Sequence, residues 1–217
     1  ICNLSVGCDK TALPSVYISK PKNALNHPVL IWFHGGGLTD DSREIQSSLF
    51  DGHMLVVEVR YRISPEFRAD TAIEDAATAI GWTFRNIEKY GGNKNKIFIG
   101  GMSAGSYLAA ITSMNPELAE RHQYSSMHPA GLLLISGQMT THFRVKEDLH
   151  YPQGQFSPVI DKLAPLAYLR ADLPPILLVT GESGLDMPAR PEENAFMAAS
   201  LKALGHKDVE FHALSGH

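Results

Sequence analysis

The chain has 217 residues, 44% hydrophobic and 19% charged, a composition that suits a globular domain burying about 70% of its unfolded surface. Its 19 Lys plus Arg against 23 Asp plus Glu give a formal net charge of −4, with no basic run to track phosphates, so nucleic acid is not an expected partner. No apolar stretch approaches the roughly 20 residues that span a bilayer, so a soluble protein without a membrane span is expected.

At the start of the chain, Ile1 is not an initiator Met, and both ends read as truncated, so any leader would lie outside this sequence. Cys2 and Cys8 are the only cysteines. They would close a small disulfide loop in an oxidising compartment or stay as two thiols in a reducing one. From there on, short apolar runs alternate with longer amphipathic stretches. Residues 29–33 and 54–59 read as buried strands closed by turn residues. Residues 70–89 carry Ile73, Ala76, Ala77, Ile80, Phe84 and Ile87 at helical spacing, and Tyr90-Gly91-Gly92-Asn93 stops that helix. Residues 97–99 read as a strand entering a glycine pair, and 104–114 as a helix ended by Asn115-Pro116.

Further strands are expected at 131–136, 176–180 and 209–214, with a helix over 192–204 capped by Gly205. Between them, 138–172 is irregular, with Pro152, Pro158 and Pro165, and is long enough for a small cap-like insertion. This alternation predicts one α/β domain over 1–217, with a mostly parallel sheet and helices on both faces.

Gly101-Met102-Ser103-Ala104-Gly105 lies between an apolar strand and an Ala-rich helix. That is the setting of a nucleophile elbow, in which the serine sits on a strained turn and glycines let strand and helix approach. His34-Gly35-Gly36-Gly37 follows the strand at 29–33. Its glycines allow backbone N–H groups to turn inward. Donors from Gly36 and Gly37, joined by the Ala104 N–H, would hold the negative oxygen of a tetrahedral intermediate formed on Ser103. The side chain of His34 is expected to brace this loop.

With these motifs in place, the chain resembles the α/β-hydrolase superfamily, specifically hormone-sensitive-lipase-like and small carbohydrate-esterase-like serine esterases. The resemblance is carried by 29–37, by Tyr61-Arg62-Ile63-Ser64-Pro65-Glu66, by 90–105 and by 157–181. It implies hydrolysis of short acyl esters, including acetyl groups on sugars, with a small-molecule ester as substrate and no cofactor. In this fold the acid follows the next-to-last strand and the histidine the last one. The turn Gly181-Glu182-Ser183-Gly184-Leu185-Asp186-Met187-Pro188 offers Asp186, which precedes an apolar-proline pair, with Glu182 as its competitor. After the last strand only Ser215-Gly216-His217 remains, so the base is His217 or a histidine just beyond the end.

The other histidines (His27, His53, His122, His128, His142, His150, His206 and His212) lack a spacing that converges with Cys, Asp or Glu, so no metal is expected. Phe143, Tyr151, Phe156 and Tyr168 are aromatic residues that would pack in the insertion or line a pocket. An amide or formamide hydrolase with the same triad, and a non-catalytic binding protein on the same fold, are the alternatives. Acyl and alcohol preference, oligomeric state and compartment stay open at this point.

Overall fold

In a computed structural model, residues 2–3, 14–22, 25–41, 49 and 52–216 are described. The Cys2 side chain, Cys8 and His217 fall outside them, so the disulfide considered above and the position of His217 are outside the described structure.

Eight strands form one sheet: β1 (Cys2–Asn3), β2 (Ser15–Ser19), β3 (His27–Phe33), β4 (Leu55–Arg60), β5 (Gly92–Met102), β6 (Gly131–Ile135), β7 (Ile176–Gly181) and β8 (Val209–Leu214), in the order β1-β2-β4-β3-β5-β6-β7-β8. β1 and β2 pair antiparallel at one edge, and every pairing from β4 across to β8 is parallel. The helices are α1 (Thr71–Asn86), α2 (Ala104–Met114), α3 (Pro116–Arg121), α4 (Phe143–Asp148) and α5 (Arg190–Ala203). Among the described residues no helix is long and apolar enough to cross a membrane.

Register explains which side of the sheet the helices cover. Ile31, Ile99, Leu132, Ile176 and Val209 lie in one row across β3, β5, β6, β7 and β8. Strand side chains alternate between faces, so this row points to a single side. It shares one buried core with Ile73 and Ile80 of α1, Leu108 and Ile111 of α2, and Met197 and Leu201 of α5. Each such side chain contributes about 1.5–3 kcal/mol through burial. The opposite face holds Leu30, Trp32 and Val56, packed with Met102, Leu133 and Ile135. Helices were expected on both faces, and among the described residues the three long ones lie on one.

Local chemistry accounts for the departures from the expected elements. The helix expected over 70–89 is α-helical only to Asn86 and continues as a 3-10 turn, Ile87–Tyr90, closed by Gly91 at φ 91°. β5 starts at Gly92, well before the apolar run, because Gly92 already pairs with His27 of β3. The short α3 forms because Asn115 accepts hydrogen bonds from the amides of Glu117 and Leu118, while Pro116 occupies the first turn, where no N–H partner is needed. The stretch 138–172, expected to be irregular, contains α4, whose first turn is capped by His142 Nδ1 accepting from the Arg144 amide.

Candidate active site

β5 delivers Ser103 to the carboxyl edge of the sheet. The serine has φ 53° and ψ −117°, a conformation unusual for a residue with a side chain, and α2 begins at the next residue. Its amide donates to the Ile135 carbonyl at 2.8 Å and its carbonyl accepts from the Tyr107 amide at 3.1 Å, which fixes the turn on both sides. The flanking glycines are required sterically. A Cβ on Gly101 would sit 2.5 Å from the backbone of Gly105, and one on Gly105 would overlap the carbonyl oxygens of Phe33 and His34. The Ala104 amide is in the first turn of α2, so it has no intrahelical acceptor and sits at the positive end of the helix dipole.

The glycine loop lies directly beside this elbow. A Cβ on Gly35 would stand 3.6 Å from Ser103 Cβ and 3.3 Å from the Met102 carbonyl oxygen. Gly36 and Gly37 have φ of 100° and 62°, the left-handed region that turns the loop back on itself. The Gly36 carbonyl accepts from the amides of Thr39 and Asp40 at 2.9 and 3.0 Å. His34 braces the loop as expected. Its ring is buried and stacked on Tyr61 at 4.3 Å, its Nδ1 is 2.7 Å from the Gly35 carbonyl oxygen, and the Tyr61 hydroxyl donates to the His34 carbonyl at 2.8 Å. Burial pushes the Tyr61 phenol well above its ordinary range, so it stays a neutral donor. The segment after Tyr61 is tied down by Arg62, whose guanidinium pairs with Asp75 of α1 at 2.6 Å, and by the Ser64 amide donating to the Leu38 carbonyl at 2.8 Å.

Two strands along the same edge, the turn after β7 carries both carboxylates singled out by the sequence. Asp186 accepts from the amides of Gly181 and Met187 at 2.9 and 2.6 Å. The Ser136 hydroxyl, just beyond β6, is 2.7 Å from each of its carboxylate oxygens and donates to one at a time. Glu182 points elsewhere: its carboxylate accepts from the Gly216 amide at 2.9 Å, joining the turn after β7 to the turn after β8. Ser103, Ser136, Asp186 and Gly216 thus follow β5, β6, β7 and β8 in succession. Ser136 was not singled out from sequence. The one available signal was a serine closing the strand next to that of the nucleophile.

Arg190, whose charge is felt by the acid, and His142, which feels the charge of Arg190, are both buried. Arg190 opens α5 and is 3% exposed. Burial lowers the pKa of its guanidinium, opposed by the charges of Glu193 and Asp186. Glu193 in turn accepts from the amides of Met139 and Thr140 at 2.7 and 3.1 Å, fixing the start of the 138–172 stretch. His142 is fully buried, and desolvation, reinforced by the charges of Arg190, Arg144 and Lys146, holds its pKa well below 6.5, so it is neutral. His212 lies exposed on β8 beside Glu210. Among the described residues no group of three or more His, Cys, Asp or Glu could hold a metal ion.

A serine on a strand-to-helix elbow, beside a glycine loop at the carboxyl edge of a parallel sheet, is the arrangement of an α/β-hydrolase. The chain belongs to that family: a family model described as the alpha/beta hydrolase fold matches residues 30–217. It is 34% identical over 130 residues to Esterase LipC of Mycobacterium tuberculosis, a match covering 58% of this chain and 32% of the relative. It is 31% identical over 91 residues to Carboxylesterase NlhH of the same organism, covering 40% of this chain and 28% of the relative. The matches thus span about a third or less of these relatives' lengths. Among solved structures, the thermophilic esterase Est2 of Thermogutta terrifontis superposes with a TM-score of 0.75 at 24% identity, over 93% of this chain and 76% of that one. The same esterase phosphonylated by sarin gives 0.77 at 22% identity, over 96% and 81%. At such identities the likeness shows the fold.

Proposed function

We propose that this chain is a serine esterase that hydrolyses carboxylic esters of short acyl groups, carbohydrate acetates among them, through an acyl-enzyme on Ser103. The observation that carries the reading is the strained elbow at Ser103 set against the Gly35-Gly36-Gly37 loop. Little else rewards holding a serine in that conformation beside a loop of three glycines. The esterases among the relatives support the same chemistry.

In the proposed cycle the Ser103 hydroxyl attacks the ester carbonyl while a histidine takes its proton. The base is His217 or a histidine just after it. The carbonyl oxygen becomes an oxyanion held by the N–H groups of Gly36, Gly37 and Ala104. Collapse expels the alcohol, which leaves with the proton from the histidine. Water then adds to the acyl-enzyme by the same route, releasing the acid and restoring Ser103. We assign the orienting carboxylate to Asp186, because three donors converge on it and lock its direction. Glu182 instead fastens the turn that leads to the histidine. The stretch 138–172 serves as the cap over the site. None of these steps calls for a cofactor.

The test is turnover of p-nitrophenyl acetate and of the matching anilide, with covalent labelling by an organophosphonate. The wild-type chain should turn over the ester, be labelled on Ser103 and lose both properties in Ser103→Ala. An anilide turned over faster than the ester would make the chain an amidase. Neither turnover nor labelling would leave a binding protein on a hydrolase fold.

A further inference from the structure

Phe143, the first residue of α4, meets both the glycine loop and a cavity. Its Cζ is 3.5 Å from where a Cβ of Gly37 would be, so the ring edge packs against the glycine loop. The residue also borders an open cavity of about 540 Å³, shared with Lys146, Glu147, His150, Tyr151, Gln153 and Gln155. That volume is in the range of small-molecule sites.

The ring is held in place. The Phe143 amide donates to Gln138 Oε1 at 3.0 Å, and the ring stacks on His142 at 4.4 Å with 28° between planes. His142 is itself wedged against Tyr107, with ring centroids 5.1 Å apart. The far wall of the cavity is equally fixed. The Tyr151 hydroxyl donates to Asp161 at 2.6 Å, and the buried Lys146 ammonium donates to the carbonyls of Gly154, Gln155 and Ser157 at 3.0, 3.1 and 2.6 Å. An ammonium shared among three carbonyls, with its flexible stem buried, holds that loop against α4. Phe156 is exposed and the Tyr168 hydroxyl is committed to the Lys162 carbonyl, so neither has the place of Phe143.

We propose that Phe143 is a specificity-determining partition: it closes the space over the glycine loop, keeps the substrate arm lying there short, and shuts that arm out of the cavity behind it. The proposal rests on the esterase reading. Packed interiors resist added volume, so an arm that reaches the ring is rejected rather than accommodated. Without the ring, the space over Gly37 and the cavity become continuous, and the larger arm gains contacts that the wild type denies it.

The experiment compares kcat/KM of the wild type and Phe143→Ala over two series: p-nitrophenyl acetate, butyrate and octanoate, and the acetates of ethanol, benzyl alcohol and glucose. The expected result is that the larger members of one series gain about tenfold or more relative to the smallest substrate of that series, the scale set by one or two groups fitting or failing to fit an apolar wall. Should Phe143→Ala lose its circular dichroism spectrum, Phe143→Leu must show the same direction with a smaller gain. Unchanged ratios in both series, in a folded variant, would overturn the partition. A wild type that neither turns over any ester nor is labelled on Ser103 by a phosphonate would overturn the esterase reading and the partition with it.

Discussion

Replacing Ser103 by two different small residues separates what the elbow costs from what it does. At φ 53° and ψ −117° a residue with a Cβ carries strain of about 1–3 kcal/mol. Ser103→Ala removes the nucleophile but keeps that Cβ and its strain. Ser103→Gly removes both, at a cost of about 0.5–1 kcal/mol in unfolded-chain entropy. The glycine variant should therefore be more stable than the alanine variant by up to about 2.5 kcal/mol, with about 1 kcal/mol near the middle of the range. At about 2–4 °C per kcal/mol for a chain of this length, a difference near 1 kcal/mol raises its Tm by roughly 2–4 °C. Scanning calorimetry of both proteins in one buffer measures the difference, with p-nitrophenyl acetate confirming that both are inactive. A glycine variant melting below the alanine variant would show that the strain at Ser103 is smaller than the entropy cost of a glycine there and remove the observation on which the functional reading stands.

Gly105→Ala should cost about 3 kcal/mol or more, because its Cβ would overlap the carbonyl oxygens of Phe33 and His34 and strand and helix would have to part; an unchanged urea midpoint would refute this. Ser136→Ala removes a charge-assisted hydrogen bond from Asp186, so kcat should fall about tenfold to a hundredfold while KM changes little, and a loss under twofold would take Ser136 out of the site. His142 predicts acid sensitivity. Its folded pKa lies below the unfolded value of 6.5, so the unfolded chain binds the extra proton first and stability falls as pH drops below about 6.5, by at most about 1.4 kcal/mol per pH unit. His142→Asn keeps a cap acceptor but cannot titrate, and urea midpoints between pH 7 and 5 should fall less steeply in that variant; equal slopes would rule His142 out as the source.

Much of this protein can be read locally. The strands at 29–33, 97–99, 131–136 and 176–180 show as apolar runs, and 29–33, in the middle of the parallel sheet, is buried along its whole length, whereas 209–214, at the sheet edge, shows as an alternation of Val209 and Phe211 with Glu210 and His212. The elbow and the glycine loop are legible for a related reason: the collisions that demand Gly101 and Gly105 arise where strand and helix meet, and positive φ marks Gly36 and Gly37 whatever lies beyond them. Other features exist only once the sheet has assembled. β2 pairs antiparallel with β4, and α4 forms within a proline-bearing stretch where periodicity predicted nothing regular. Asp186 and Glu182 are equivalent as letters four places apart; they differ because strand order sets Ser136 beside one and Gly216 beside the other. Phe143 meets Gly37 across more than a hundred residues of chain. Periodicity and glycine sterics act within a few residues and are written in the sequence, whereas these contacts depend on the order and register of β2 to β8, which only the packed sheet decides.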